Sequence, residues 1–391
     1  MVRESVASGL DTTPENLTPS LLLEQSVSST VCRIDGYDAA RGAAILGMIV
    51  VNYFGIFRSS VRGVLPFEPA ADFLSGRAAT LFVMLAGIGL TLMSRKLMLT
   101  GNAESWIRFR RQIVRRSVIL FFMGILLSLI WPSDILHFYC LFLIAGSFVL
   151  QLPPRKIVLI TALLWAISGG LFISSVGDPN INTLGFLPDY FFLIVDELFI
   201  GGKYAFFPWF CFLLTGIWFG LWAMKNQKQQ IYLFLAASLV FLASESIMMV
   251  PHWFKLELND ETALWAFFDN SPFPSSPFFA LSAGSMALMV ICSLLLSSRL
   301  AYMKWLIDSL KNIGRMSLTI YIGHILFGKA VAVVLKQNCT PAQYPLAVTL
   351  FMVAFVIGLY FLCDFWLKWF KYGPLEWLMR KGSIHLLPGR P

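Results

Sequence analysis

The sequence predicts an all-α fold: a polytopic transmembrane helical bundle of about ten spans with both termini cytoplasmic. Three observations carry this. The chain is 57% hydrophobic and only 13% charged over 391 residues, where a soluble domain carries about a quarter charged residues. Apolar runs of about 20 residues recur along it, and a helix of that length spans roughly 30 Å of hydrocarbon. Lysine and arginine alternate between successive loops in the manner of cytoplasmic and outer segments.

The spans are placed at 38–57, 72–94, 113–131, 134–151, 156–176, 204–224, 231–250, 277–297, 316–336 and 345–370. Trp131-Pro132-Ser133-Asp134 is too short for anything but a turn, so the third and fourth spans form a helical hairpin. With the N-terminus inside, every cytoplasmic loop between spans holds at least two basic residues, including Arg95, Lys96, Arg108, Arg110, Arg111, Arg115 and Arg116 in one of them. The outer loops hold Arg58 and Arg62, then none, then Lys203, Lys255 and Lys336 singly. An odd number of spans breaks this alternation, so the count is even.

Residues 1–32 form a polar tail expected to be disordered, 33–381 a single bundle, and 382–391 a short C-terminal tail. No apolar stretch follows a basic start, so no cleavable signal peptide is expected and the first span serves as the targeting signal. Residues 184–200 carry Asp189, Asp196 and Glu197 among apolar neighbours and read as interfacial. The net charge of +8 is explained by cytoplasmic loops, not by nucleic acid. Cys32, Cys140, Cys211, Cys292, Cys339 and Cys363 form no CxxC, which favours free buried thiols over a disulfide or a metal site. Gly216 and Gly220 make a small-xxx-small pattern that favours packing within the bundle over a dimer contact.

Ionisable residues within spans cost at least about 2.5–3.5 kcal/mol each on insertion scales, so each retained one needs a reason. The topology sorts them by side. Asp38, Arg41, Arg315 and Asp364 fall near the cytoplasmic face, with Asp38 and Arg41 spaced to pair on one helix. Asn52, Arg77, Asp134, His137, Glu245, His324 and Lys329 fall in the middle or outer half. An outward-opening, water-filled cavity houses such a set without leaving charge in lipid. His137 is the leading candidate for proton transfer, because imidazole titrates near neutrality and Asp134, one turn away, orients it. His324 is a second candidate. Arg77 and Lys329 either hold an anionic substrate group or neutralise Glu245 and Asp134; Asn52 either donates to an oxyanion or caps a buried carbonyl. There is no phosphate loop, HExxH zinc motif or GxSxG elbow, and four histidines make a histidine-rich metal site unexpected. Gly87-Ile88-Gly89 lies inside a span and reads as packing.

Four segments carry a resemblance: Arg33-Ile34-Asp35-Gly36-Tyr37-Asp38-Ala39-Ala40-Arg41-Gly42, running on to Asn52-Tyr53; Gly76-Arg77-Ala78-Ala79-Thr80-Leu81-Phe82 with Leu85 to Leu90; Asp134-Ile135-Leu136-His137-Phe138-Tyr139; and Gly314-Arg315-Met316-Ser317-Leu318-Thr319 with Tyr372-Gly373-Pro374-Leu375-Glu376-Trp377-Leu378. Together they resemble the YeiB-like family of bacterial membrane proteins of unknown function. That family is distantly similar to membrane acyltransferases such as heparan-α-glucosaminide N-acetyltransferase, which share the D-x-x-R-G start matched by Asp38 to Gly42. The resemblance implies the bacterial inner membrane, acyl-CoA as a cytoplasmic donor with no tightly bound cofactor, and a sugar or lipid-linked acceptor on the far side. It implies a histidine base. Sugar O-acyltransferases place one fourteen residues after the Asp, where this chain has Asn52, and the glucosaminide enzyme has one in the first outer loop, which here contains none from Arg58 to Ala71. A transporter or flippase for an anionic or amphipathic solute, with Glu245, His324 and Lys329 lining its path, is the first alternative. A non-catalytic membrane scaffold is the second.

Overall fold

Helix α1 (Asp35–Arg58) is the hub of the molecule in the computed structural model. The structure describes residues 34–58, 65–177, 198–199, 202–222, 226–253, 272–273 and 275–385, with backbone alone at 100, 171–177, 251–252 and 384–385. The tail 1–32 with Cys32, and nearly all of the segment 184–200 with Asp189, Asp196 and Glu197, lie outside the described residues. Every described element is helical. After α1 come α2 (Glu68–Leu74), α3 (Arg77–Thr100), α4 (Ala103–Ser128), α5 (Leu136–Val149), α6 (Pro154–Gly177), α7 (Phe206–Trp222), α8 (Gln227–Met248) and the single turn α9 (Val250–Trp253). They are followed by α10 (Pro277–Ser297), α11 (Lys304–Arg315), α12 (Ser317–Asn338), α13 (Tyr344–Trp369) and α14 (Pro374–His385).

Each of the ten sequence-placed spans overlaps one of these helices. Among the described residues six stretches are long and apolar enough to cross a membrane: α1, Glu68–Leu99, α8, α10, α12 and α13. The others differ for physical reasons. Helix α4 carries Arg108, Arg110, Arg111, Arg115 and Arg116 in its first half. Helices α5 and α7 are apolar but have only 14 and 17 residues, or about 21 and 26 Å of rise. The amphipathic α11, with Ile307 and Ile313 buried and lysines at its edges, and the C-terminal α14 are elements where hydropathy had shown only loops.

Small residues set the closest crossings, as expected where lipid removes the hydrophobic drive for helices to associate. Helix α11 lies along α1, and a Cβ on Gly314 would sit 1.8 Å from the Asp38 carbonyl oxygen. A Cβ on Gly42 would meet the Leu310 carbonyl at 2.1 Å. Helices α3 and α7 cross through Gly87 and Gly216, whose Cβ atoms would strike the Leu213 and Met84 carbonyl oxygens. The Gly216/Gly220 pattern is therefore used inside the bundle, and Gly87 is packing as its sequence setting indicated. The hairpin α4–α5 closes on Gly124, where a Cβ would lie 2.4 Å from the His137 backbone nitrogen.

The outer faces are apolar. Leu346, Leu350, Val353, Ile357 and Phe361 are exposed along one stripe of α13, the spacing of a lipid-facing helix surface. Inside, Ile45, Ile49, Tyr53 and Phe57 of α1 are fully buried, with Tyr53 packed on His324 of α12 and both Tyr53 and Phe57 on Phe351 of α13. Helix starts are capped by Asn102, Asn226 and Ser276. Glu376 performs a tertiary version of the same task. Its carboxylate accepts from the Leu318 and Thr319 amides at 2.7 and 3.2 Å and from the Thr319 hydroxyl at 2.6 Å, at the open N-terminus of α12. The two halves of the fourth sequence segment are thus one joint. Cys140, Cys211, Cys292, Cys339 and Cys363 are free thiols.

Candidate functional site around Asp134

Asp134 closes the α4–α5 turn and is 1% exposed. Its Oδ2 accepts the Leu136 amide at 3.0 Å and lies 3.3 Å from His137 Nδ1, as the three-residue spacing predicts. Its Oδ1 accepts the Tyr321 hydroxyl of α12 at 3.0 Å. With Nδ1 donating to a carboxylate, His137 presents Nε2 as a lone pair. The His137 side chain is 21% exposed.

His324 is arranged differently. Its Nδ1 lies 2.9 Å from the Ile320 carbonyl oxygen. A carbonyl only accepts, so Nδ1 carries the proton and Nε2 is the acceptor. Asn52 Nδ2 donates to it at 3.1 Å. This fixes the Asn52 amide with Oδ1 directed away from the histidine. Both ring nitrogens are engaged, and the ring is 1% exposed, flanked by Tyr53 and Tyr321.

Two cavities of about 300 Å³ each approach Asp134. One is lined by Asn52, Asp72, Trp131, Ser133, Lys203 and Tyr321, with Ile135 in its wall. The other runs between α3, α4, α5, α12 and α14, lined by Phe82, Arg116, Tyr139, Glu376 and Arg380, with Leu136 in its wall. Consecutive residues, Ile135 and Leu136, thus face different cavities. The partition is completed by Phe82, which packs on both Tyr139 and Tyr321. His137 lines neither cavity. Tyr321 connects the Asp134–His137 pair to the first one.

The remaining expected residues are placed as follows. Arg77, 3% exposed, donates to Glu245 at 2.6 Å, to Ser282 at 3.1 Å and to the Phe73 carbonyl at 2.9 Å. Its guanidinium also rests on the Phe73 and Phe279 rings. Glu245 is thus one of its partners, a pairing the sequence offered beside a substrate role. Lys329 lies over the Trp131 ring at 4.9 Å, and Trp131 lines the first cavity. On the side read as cytoplasmic, Asp38 pairs with Arg41 at 2.8 Å, Arg315 donates to the Lys371 carbonyl, and Asp364 pairs with Lys368.

Sequence reasoning did not single out Tyr321, Lys203, Ser133 or Trp131 as site residues. Tyr321 stands one helical turn before His324, and Ser133 precedes Asp134, so both had a local signal. Lys203 had only its isolation in an outer loop. Its ammonium donates to Ser133 at 2.8 Å and lies 4.7 Å from the Phe273 ring centre. Burial pushes its pKa down.

Comparison with known proteins places these features in a family. Residues 219–385 match the family model described as "Protein of unknown function (DUF418)". A relative from Bacillus acidopullulyticus, described as "Uncharacterized 39.9 kDa protein in amylase 3'region", is 25% identical over 368 residues, covering 89% of this chain and 93% of its own. Residues 33–249, more than half of the chain and including α1, Asp134 and His137, match the model described as "Heparan-alpha-glucosaminide N-acetyltransferase, catalytic". The chain therefore belongs to the heparan-α-glucosaminide N-acetyltransferase catalytic family, joined at its C-terminal part to the family of unknown function that the YeiB-like segments indicated.

Proposed function

We propose that this protein is a membrane-embedded acyltransferase that moves an acyl group from a cytoplasmic acyl-CoA to an acceptor on the outer side of a bacterial cytoplasmic membrane. The observation that carries the reading is that Ile135 and Leu136, the two residues after the buried Asp134, line different cavities. A transferase working across a membrane needs two substrate entrances and a thin barrier where the reacting atoms meet. In this reading the chain has ten spans with both ends cytoplasmic, in keeping with the alternation of basic loops. The short α5 and α7 are then the thin part of the bundle around the partition.

The cavity with Arg116 and Arg380 belongs to the cytoplasmic side, where two guanidiniums suit the phosphates of an acyl-CoA. The cavity with Asn52, Lys203 and Tyr321 receives the acceptor. The acceptor hydroxyl or amine attacks the thioester carbonyl, the new ester or amide forms, and the carbon–sulfur bond breaks. His137 Nε2, the nitrogen left open by the Nδ1–Asp134 contact, takes the acceptor proton through one water, and Asp134, held in place by Tyr321, stabilises the imidazolium. The imidazolium returns that proton to the departing thiolate. Asn52 Oδ1, turned from His324, positions the acceptor by accepting from a hydroxyl. Lys329 and Lys203 contribute positive charge beside it.

The test is transfer of a radiolabelled acetyl group in sealed vesicles. His137→Ala and Asp134→Asn are expected to reduce transfer at least a hundredfold, and Tyr321→Phe to reduce it less, at unchanged melting temperature. Full transfer by His137→Ala removes this base from the mechanism.

A further inference from the structure

Lys203 is a partly buried ammonium whose polar partner among the described residues is one neutral hydroxyl. An ammonium has three protons to donate. One goes to Ser133, and the Phe273 ring faces the charge from another direction. Asp72 lines the same cavity, and among the described residues Lys203 forms no ion pair. The buried carboxylate nearest the partition, Asp134, is already met by Tyr321, His137 and the Leu136 amide. Withdrawing a charge from water without a counter-charge is costly. An anion entering the cavity would supply the missing partner.

The rest of the lining narrows what carries that anion. Trp131, Tyr204 and Phe273 give aromatic walls, and the Trp131 indole nitrogen is buried without a hydrogen-bond partner. Asn52 Oδ1, Ser75 and Asp72 provide acceptors for hydroxyl groups on the same cavity. A second cation on the lining, Arg58, is paired with Glu68 at 3.9 Å, and Lys329 lies over the Trp131 ring. A volume of about 300 Å³ lies at the small end for ligand sites. A flat apolar face, several hydroxyls and one negative group in that space describe a single charged sugar unit.

We infer that this cavity binds a sugar bearing a carboxylate or phosphate group, with Lys203 as the partner of the anion and the Trp131 wall against the ring. The inference rests on the proposed transferase reading and names its acceptor class. Lys203 is a specificity-determining residue here: the neutral part of the sugar is held by Asn52, Asp72 and the aromatic wall.

Equilibrium dialysis of the full chain in nanodiscs, without any acyl donor, tests it. Radiolabelled glucose 1-phosphate is the probe, and unlabelled glucuronate, glucose and inorganic phosphate are competitors. Glucuronate is expected to compete at least tenfold better than glucose and better than inorganic phosphate. Lys203→Met is expected to weaken glucose 1-phosphate binding at least tenfold, and Lys203→Arg to retain most of it. If Lys203→Met does not fold, Lys203→Gln, which keeps a donor for Ser133 without the charge, carries the comparison.

Equal competition by glucose, or undiminished binding by a folded neutral variant, overturns the inference. Inorganic phosphate competing as well as the sugar phosphate also overturns it, leaving a plain anion site. Because binding is read without an acyl donor, a chain that binds the charged sugar but transfers nothing keeps this inference and overturns the transferase reading. Acyl transfer to neutral sugars with no charged-sugar preference does the reverse.

Discussion

Replacing Arg77 with methionine removes the cation that holds α3 to α8 and α10. The Arg77 side chain is 2% exposed and that of Glu245 25% exposed. Removing one partner of a buried pair costs about 3–5 kcal/mol, because the other charge stays in a poorly solvating place. Glu245 keeps the Ser282 hydroxyl at 2.5 Å and some access to water, so the lower end applies: about 3 kcal/mol for Arg77→Met. Glu245→Met is expected to cost a similar amount, since the guanidinium then loses the Glu245 carboxylate while keeping Phe73, Ser282 and two ring faces. The double variant Arg77→Met/Glu245→Met leaves neither charge stranded. Its cost is expected to fall short of the sum by about 2 kcal/mol. Reversible unfolding in mixed micelles measures all three against the native chain. A coupling below about 0.5 kcal/mol, the range of independent sites, refutes the anchor argument. A double variant that is stable and keeps native transfer establishes that the pair is structural. One that is stable and inactive returns Arg77 to the substrate.

Two further variants test the joints of the bundle. Asn52→Leu leaves His324 Nε2 a buried acceptor without a donor and is expected to lower stability by about 1–3 kcal/mol, read by the same unfolding assay; no loss would mean that His324 is not held in the tautomer assigned here. Gly314→Ala is expected to abolish the folded fraction on size-exclusion chromatography, since its Cβ would lie 1.8 Å from the Asp38 carbonyl. Gly358→Ala, on α13 with nothing within 4 Å, is expected to behave as the native chain, and equal behaviour of the two would refute the close-crossing argument.

Local spacing and long-range contact divided the site between them. Asp38–Arg41 and Asp134–His137 are each three residues apart on a helix or at its start, so their pairing follows from helical geometry. The partners of the other site residues come from far along the chain: Asn52 meets His324 across 272 positions, Arg77 meets Glu245 across 168, and Lys203 meets Ser133 across 70. Hydropathy assigns each of these residues a depth and a side but carries no rotation of one helix about its axis relative to another. That rotation decides whether Arg77 faces Glu245 or a substrate, and whether Asn52 faces an oxyanion or an imidazole. The amphipathic α11 escaped hydropathy for a related reason. Its mean polarity is that of a loop, and only its packing along α1 shows the apolar face at work.

The sequence by itself determined that this chain is a helical membrane protein, because the cost of placing unpaired peptide groups and charges in lipid leaves long apolar helices as the form such runs can take. It also determined the family, through segments whose residues make the α1 start, the α4–α5 turn and the joint at Glu376. Only the tertiary structure decided which histidine keeps a free nitrogen, that two cavities meet at Ile135 and Leu136, and that Lys203 stands in one of them with no counter-charge among the described residues. Those facts depend on how far apart helices pack and which faces they turn to each other. Glycine contacts and buried polar pairs, formed between residues remote in the chain, set both.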